Sequence, residues 1–150
     1  MPASLTHSVS WRFTTKRPAG HWARPGFDDG RWEEGQAGFG TEGTPGIQVA
    51  TRWATPDIWI RREVTLPPST DPSRVQLWLY HDEDVEVYLD GVLAARERGY
   101  VTSYQIVEIG GAARARLKPG AKIILAAHCH QTRGGQGVDL GLVDVDERNP

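Results

Sequence analysis

The stretch His81–Val92, HDEDVEVYLDGV, decides the fold because it joins a group of acidic residues to a strand and a tight turn. Apolar and polar residues alternate from Val85 to Asp90, which is the two-residue period of a strand with one buried face. The pair Asp90-Gly91 favours the positive φ angles of a two-residue hairpin turn. The stretch therefore predicts a β-hairpin that holds three carboxylates where its first strand begins.

The rest of the chain continues this pattern. Its 17 glycines and 10 prolines separate short alternating segments, and no window shows sustained helical periodicity. We predict one all-β domain over residues 1–150, an antiparallel two-sheet β-sandwich of the jelly-roll type with about eight strands. The expected strands are Ser10–Thr15, Trp59–Leu66, Val75–His81, Val85–Asp90, Val92–Glu97, Tyr104–Ile109, Lys122–Gln131 and Val138–Val145.

Three segments depart from regular strands. The region from Arg17 to Thr55 is rich in glycine and proline and predicts a long N-terminal loop region. Within it, Asp28–Trp32 predicts a capped turn that packs its aromatic residues against the sandwich. Residues 112–117 predict one short helical turn, and residues 144–150 predict a polar tail.

Charge and hydropathy argue against two classes of partner. The net charge is −2, with 17 Lys and Arg against 19 Asp and Glu, and there is no basic block of the kind that nucleic-acid binding requires. No apolar run approaches the length of a membrane span. The single cysteine, Cys129, lies in an apolar strand and predicts a small buried thiol. We expect neither a nucleic acid nor a membrane as partner.

Four segments follow one another in a characteristic order: FDDGRW at Phe27–Trp32, DIWIRR at Asp57–Arg62, VEVYLDG at Val85–Gly91 and LKPG at Leu117–Gly120. Their order and spacing resemble the N-terminal sugar-binding domain of family 2 glycoside hydrolases, the β-galactosidase and β-glucuronidase group, and galactose-binding-like jelly rolls generally. The resemblance covers nearly the whole chain. Asp90 stands where that family usually has asparagine, a change that keeps the turn chemistry.

The resemblance implies a galactose-binding-like accessory domain with a carbohydrate as its partner. In that family the catalytic carboxylates lie on a separate barrel domain, so a catalytic domain of a larger protein is a second implied partner. An extracellular or periplasmic location follows if the chain is a piece of a secreted hydrolase. Residues 1–7 show no secretion signal, which leaves the location open.

His128 and His130 are two residues apart on a predicted strand and should therefore point to the same face. With His81 or Asp82 as a third ligand, they would suit zinc, iron or copper, the basis of a metal-dependent enzyme. The alternative is that they hydrogen-bond to loops or line a polar cleft. Both interpretations remain open.

Asp82 and Asp84 offer a second metal hypothesis, because carboxylates and backbone carbonyls are the ligands that calcium prefers. The alternative is that they cap turns or pair with arginines. They are poor candidates for a catalytic acid and base, since an exposed turn lacks the apolar pocket that separates two carboxyl pKa values. No catalytic residue is assigned.

A sugar site needs an aromatic platform and planar polar groups that address hydroxyls in pairs. Trp53 is the preferred platform because it is less tied to an alternating core pattern than Trp59 or Trp78. Tyr100 and Tyr104 are further candidates, and packing is the alternative role for all three. The polar candidates are Asp57, His81, Asp82, Asp84, His128, His130, Gln131, Arg133 and Gln136.

The leading hypothesis is a non-catalytic carbohydrate-binding module that docks a glycan between loop aromatics and polar strand ends. The alternative of another class is a structural or interface module of a larger protein, which an exposed tryptophan patch would favour.

Overall fold

The structure, a computed structural model, describes residues 9–145 and folds them into two facing sheets. Sheet A contains, in spatial order, β2 (Glu33–Ala37), β1 (Val9–Thr14), β5 (Asp57–Thr65), β10 (Lys122–His130), β7 (Asp84–Leu89) and β8 (Val92–Glu97). Sheet B contains β4 (Thr51–Arg52), β3 (Phe39–Gly40), β11 (Gly137–Asp144), β6 (Val75–Asp82) and β9 (Gln105–Val107). All neighbouring strands of these sheets are antiparallel except β3 and β4. The prediction of an all-β sandwich is confirmed.

The core lies between the sheets and follows the predicted alternation. On β10, Ile123, Leu125, Ala127 and Cys129 are buried in the core. Val138, Leu140 and Leu142 of β11 face them from sheet B. Burial raises the pKa of the Cys129 thiol, which agrees with a packing role. Each of the eight predicted strands is present, with its ends shifted by a few residues at most.

The predicted hairpin joins β7 to β8. Asp90 and Gly91 have φ angles of 50° and 82°, as a two-residue turn of this type requires. The Asp90 carboxylate accepts a hydrogen bond from the Ile124 N–H (2.8 Å) and forms an ion pair with Arg116 (3.2 Å). Asp90 therefore ties the turn to β10 in addition to shaping it.

The prediction of a long loop between Arg17 and Thr55 is wrong in part, because β2, β3 and β4 all lie in it. Strand β2, with the sequence EEGQA, is an edge strand whose side chains are mostly exposed. It therefore lacks the apolar alternation by which buried strands are recognised, and its backbone pairing with β1 holds it in place.

Residues 22–29 form a loop that packs on the outer face of sheet A, and Arg61 of β5 holds it there. Arg61 is 3% exposed and its Nε donates to the Asp29 carboxylate at 2.9 Å. Its other nitrogens donate to the carbonyl oxygens of Trp22 (2.6 Å), Arg24 (3.0 Å) and Phe27 (3.4 Å). The predicted packing role of the Asp28–Trp32 turn is supported, since Asp28 accepts from the Gly30 N–H and Phe27 packs edge-on against Trp32.

Among the described residues, helical structure is limited to a 3₁₀ turn at Pro72–Arg74 and α1 at Gly111–Arg114, close to the predicted helical turn. At the end of β11, Asp144 pairs with Arg74 at 2.7 Å. The predicted tail over residues 144–150 lies outside the described residues from 146 onward. Within residues 9–145, no helix has the length and apolar character needed to cross a bilayer.

Candidate functional site on sheet A

The outer face of sheet A carries two rows of polar residues that run across its strands. In the first row, His128 of β10 lies between Trp59 of β5 and Glu86 of β7, and Glu86 pairs with Arg96 of β8. In the second row, His130 lies between Asp57 and Asp84. Because side chains alternate along a strand, both rows point away from the core.

Asp57, His128 and His130 form what we call the histidine cluster. His128 Nε2 lies 2.7 Å and His130 Nδ1 lies 2.9 Å from the same oxygen, Oδ1 of Asp57. Both nitrogens therefore donate to one carboxylate. Burial raises the pKa of Asp57, but the two imidazole hydrogen bonds outweigh it and the net pKa lies below its ordinary value.

The ring of His128 is held on three sides. It stacks on the Trp59 indole, with ring centroids 4.6 Å apart and planes 2° from parallel, and the Arg17 guanidinium lies 5.6 Å from the Trp59 ring. Its Nδ1 lies 3.6 Å from a carboxylate oxygen of Glu86. This imidazole is therefore preorganised, with one nitrogen directed at Asp57 and the other at Glu86.

Glu86 is fixed in turn by its own partners. Its carboxylate accepts hydrogen bonds from Arg96 (2.7 Å) and from the Tyr88 hydroxyl (3.0 Å). Burial raises the pKa of Glu86, but these hydrogen bonds lower the pKa by more than burial raises it. The net pKa is therefore below its ordinary value.

A pocket of about 220 Å³ opens beside these rows, and we call it the row pocket. Its lining residues are Asp84, Val85, Glu86, Arg96, Arg98, His128 and His130. Carboxylates supply acceptors, whereas guanidinium groups and imidazoles supply donors. Arg98 is exposed and makes no ion pair or hydrogen bond with other described residues.

The two predicted polar segments meet at this end of the sandwich. The Glu83 carboxylate accepts from the Thr132 hydroxyl and from the backbone N–H groups of Thr132 (3.3 Å) and Arg133 (3.0 Å). The hydroxyl bond makes the largest contribution to a lowered pKa of Glu83. The loop after β10 is therefore tied to the entrance of β7.

The prediction of Trp53 as a sugar platform is wrong. Its side chain is 1% exposed and belongs to the hydrophobic core. Its indole N–H donates to the Thr55 hydroxyl (3.1 Å) and to the Asp57 carbonyl (3.2 Å), so the ring is both buried and satisfied.

The two tyrosine candidates lie in different places. Tyr104 stacks on Trp78 of sheet B (5.9 Å, 16°) and donates its hydroxyl to Asp139, so it does not share a cleft with the histidines. Tyr100 is 68% exposed. It follows Gly99, whose N–H donates to Asp84 at 2.7 Å in the wall of the row pocket. Tyr100 is the candidate ring that remains available to a ligand.

Two polar candidates are buried and hold the scaffold together. The Nδ1 of His81 lies 2.7 Å from the Glu83 carbonyl and 2.9 Å from that of Gly99, so His81 braces two loops. Gln136 donates its side-chain amide to the Thr55 carbonyl at 3.0 Å. Neither side chain is available to a ligand.

The remaining two polar candidates belong to the loop that follows β10. Gln131 donates its side-chain amide to the Gly134 carbonyl at 3.0 Å and is half-buried. Arg133 is exposed, and its backbone rather than its side chain holds Glu83. Both lie outside the lining of the row pocket.

The metal hypotheses gain no support. Asp82 ends β6 in sheet B, whereas Asp84 begins β7 in sheet A, and only Asp84 lines the row pocket. Burial, followed by repulsion from Glu83, raises the pKa of Asp82. Over residues 9–145, no three His, Cys, Asp or Glu side chains are grouped as metal ligands.

Four residues of the site escaped the sequence analysis: Trp59, Glu86, Arg96 and Arg98. Trp59 was assigned to packing, and it does pack, but against His128 on the outer face of the sheet. Glu86 follows Asp84 at the strand period, so alternation alone places it on the same face. Arg96 of β8 could not be recovered in the same way, because its register depends on a bulge, and Arg98 lies beyond the end of that strand.

Solved structures place this architecture among known folds. A β-glucuronidase of glycoside hydrolase family 2 aligns with 91% of this chain, with a TM-score of 0.61 and 17% identity. The chain has the fold of a domain found in family 2 glycoside hydrolases. A family 2 member from Bacteroides cellulosilyticus aligns with 91% of this chain, with a TM-score of 0.62 and 13% identity. A β-glycosidase from Bacteroides vulgatus also aligns with 91%, with a TM-score of 0.58 and 14% identity.

The extent of the alignment matters as much as its quality. The chain spans only 17% of the length of the β-glucuronidase and 20% of each of the other two. It therefore corresponds in size to one domain of such enzymes, and the resemblance seen in the sequence is confirmed at the level of the fold. No protein-family model and no curated protein matches by sequence.

The histidine cluster predicts an acid-sensitive contribution to stability. The pKa of Asp57 is lower in the folded protein, so its carboxylate stabilises the fold above the unfolded pKa of roughly 4, and this is lost as the pH falls through the folded pKa. We expect Asp57→Asn to cost about 1–2 kcal/mol of unfolding free energy at neutral pH and less at about pH 3. Urea unfolding of the parent and of Asp57→Asn at both pH values measures the difference in unfolding free energy. A difference that does not change with pH would contradict the role assigned to Asp57.

Proposed function

We propose that this chain is a non-catalytic carbohydrate-binding domain of a larger glycoside hydrolase, and that it binds a neutral sugar in the row pocket. The observation that carries the proposal is the convergence of preorganised donors and acceptors there. His128 and Glu86 are each held by neighbouring side chains, and Arg98 has a free guanidinium. A sugar hydroxyl both donates and accepts, so it can use both kinds of group at once.

The balance of charge favours a neutral ligand. Asp84 and Glu86 would repel an anion in this pocket, whereas Arg96 and Arg98 would repel a cation. A polyhydroxylated neutral ring avoids both penalties. The small volume of the pocket suits a single ring. Tyr100 follows Gly99, whose N–H donates to Asp84 of the pocket, and its exposed side chain offers an apolar surface for a second ring.

Binding of this kind should be weak. Hydroxyl groups exchange hydrogen bonds with water for hydrogen bonds with protein, and the net gain for each is modest. We expect dissociation constants in the micromolar to millimolar range, about −4 to −8 kcal/mol.

The alternative of a structural or interface module would be favoured by an exposed tryptophan patch. All six tryptophans lie within residues 9–145, and each is buried or half-buried, so the described surface has no exposed tryptophan patch. The exposed large apolar residues there are Leu93, Tyr100 and Ile106.

A glycan array followed by calorimetry with neutral mono- and disaccharides tests the proposal. We expect saturable binding of at least one neutral sugar and at least a tenfold loss of affinity in Arg98→Gln. Arg52→Gln is the matched control, since Arg52 is also exposed and does not line the row pocket. An intact fold that binds no saccharide would overturn the proposal.

A further inference from the structure

The loop between β8 and β9 carries an exposed aromatic ring on a fixed backbone. Among the exposed large apolar side chains of residues 9–145, that of Tyr100 is the most exposed, at 68%. Exposed loops are usually the more mobile parts of a domain. The backbone on both sides of Tyr100 is nevertheless held by hydrogen bonds.

Gly99 is held through both of its backbone polar groups. Its N–H donates to the Asp84 carboxylate at 2.7 Å, and its carbonyl oxygen accepts from the Nδ1 of His81 at 2.9 Å. Its φ angle of 79° lies in the region that favours glycine, so the chain turns here immediately before Tyr100.

The residues that follow Tyr100 are held as well. The Val101 N–H donates to the His81 carbonyl at 3.0 Å. The Thr102 carbonyl packs so closely against Gly46 that any side chain at position 46 would overlap it. Tyr100 therefore extends into solvent from a backbone that is anchored on both sides.

His81 connects these anchors from the interior. It is 4% exposed, and its Nδ1 lies close to the carbonyl oxygens of Glu83 (2.7 Å) and Gly99 (2.9 Å). Because carbonyl oxygens only accept hydrogen bonds, Nδ1 carries the proton and donates to both. His81 thus holds Gly99 with its side chain and Val101 with its backbone, without being accessible to a ligand itself.

This anchored ring lies next to the row pocket along the chain. Asp84 and Arg98 line the pocket, and Tyr100 is two residues after Arg98. The Asp84 oxygen lies 2.7 Å from the Gly99 nitrogen, so the Cα atom of Tyr100 is at most about 8 Å from that oxygen. A sugar ring joined to one in the pocket can reach a side chain at this distance.

We propose that Tyr100 forms a second subsite, which makes the row pocket selective for β-linked neutral disaccharides over monosaccharides, and that His81 is its positioning residue. The inference rests on the proposed function of the row pocket. One face of a pyranose consists of C–H groups, which pack against an aromatic ring. A backbone that is already fixed loses little conformational entropy when the sugar binds. An equatorial β-1,4 linkage keeps two rings extended, so that the second ring leaves the pocket.

Calorimetry with three matched pairs of sugars tests the subsite: glucose with cellobiose, mannose with β-1,4-mannobiose, and xylose with β-1,4-xylobiose. In at least one pair, the disaccharide should bind at least about fivefold more tightly than the monosaccharide. Tyr100→Ala should abolish this preference and leave the monosaccharide affinity unchanged, whereas Tyr100→Phe keeps the ring and the preference. Ile106→Ala is the control, since Ile106 is also exposed but does not line the row pocket.

Two substitutions of His81 test its positioning role. His81→Asn keeps an N–H donor close to the place of Nδ1 and should retain the disaccharide preference, whereas His81→Leu should lose it and keep the monosaccharide affinity. A second measurement needs no sugar. In ¹⁵N relaxation, the Tyr100 amide should be rigid in the parent and in His81→Asn and more mobile in His81→Leu. A merely structural role of His81 would lower stability and leave the mobility of Tyr100 unchanged.

The outcomes separate this inference from the proposed function. Equal affinity within every pair, an undiminished preference in Tyr100→Ala, or a mobile Tyr100 amide in the parent would each overturn the inference. These three results do not depend on whether His81→Leu folds. A monosaccharide that binds and is weakened by Arg98→Gln would still support the row pocket. An array without any bound saccharide would overturn both.

Discussion

Replacing Arg61 with alanine is expected to lower the free energy of unfolding by about 3–5 kcal/mol, the range for removing one partner of a buried ion pair. The side chain is buried and holds residues 22–29 on sheet A through Asp29 and three backbone carbonyls. Its loss leaves those carbonyls and a carboxylate without their donor. Urea denaturation followed by tryptophan fluorescence measures the change.

Arg62 provides the control, because it is the next residue of the same strand and has no described partner. Arg62→Ala should therefore cost less than about 1 kcal/mol, the usual limit for residues outside such networks. The stability loss of Arg61→Lys should fall between these two values. The lysine ammonium keeps the charge but lacks the planar fork with which the guanidinium reaches four acceptors. Equal losses at positions 61 and 62 would contradict the role assigned to Arg61.

The same loop connects stability to the row pocket. Trp22 packs edge-on against Tyr88 with ring centroids 5.5 Å apart, and the Tyr88 hydroxyl donates to Glu86. Release of residues 22–29 therefore removes a support from one wall of the pocket. Arg61→Ala is for this reason a test of stability and not a clean probe of sugar binding.

Trp53→Ala is expected to destabilise the fold by about 3–5 kcal/mol, as large-to-small substitutions of buried aromatic residues do. The ring is part of the core, and its N–H is satisfied by Thr55 and Asp57. Trp53→Phe keeps most of the buried ring and should cost less while leaving sugar affinity unchanged. Thermal unfolding and calorimetry on the same samples measure both quantities.

A Trp53→Phe protein that folds normally but loses its sugar ligand would contradict the assignment of Trp53 to the core. Tyr100→Ala is the counterpart: its side chain is exposed, so we expect stability to stay within about 0.5 kcal/mol of the parent.

The fold was largely predictable because strand alternation is a local property. The run from Val85 to Gly91 specifies the strand, its buried face and the turn, and the structure has all three. The strands between Glu33 and Arg52 were missed because edge strands with exposed side chains carry no such alternation.

The site was less predictable because it depends on register. A two-residue turn after Leu89 would place Ala95 opposite Glu86, but a shift between Val87 and Tyr88 places Arg96 there instead. That bulge brings the guanidinium within 2.7 Å of the Glu86 carboxylate. Nothing in the sequence of β8 marks the extra residue, since bulges leave hydrophobic composition unchanged.

For His128 and His130, the face of the sheet could be predicted from the sequence, but their shared partner could not. Alternation correctly places His128 and His130 on one face, and the structure confirms this through their shared partner. That the partner is Asp57 follows from the pairing of β5 with β10, which are separated by more than fifty residues in the chain. Such long-range pairing is set by the whole sandwich.

Trp53 was misassigned for a related reason. It lies between short strands in a segment without periodicity, so its burial could not be deduced from spacing. The segment is held by backbone hydrogen bonds, including one from the Trp53 N–H to the Gly40 carbonyl at 2.9 Å.

Calorimetric titration of the intact chain with a neutral sugar, in parallel with Arg98→Gln and Arg52→Gln, tests the row pocket most directly. We predict saturable binding that Arg98→Gln weakens at least tenfold and Arg52→Gln leaves unchanged. Equal affinity in all three proteins, or no heat of binding from any neutral sugar with the fold intact, would contradict the account.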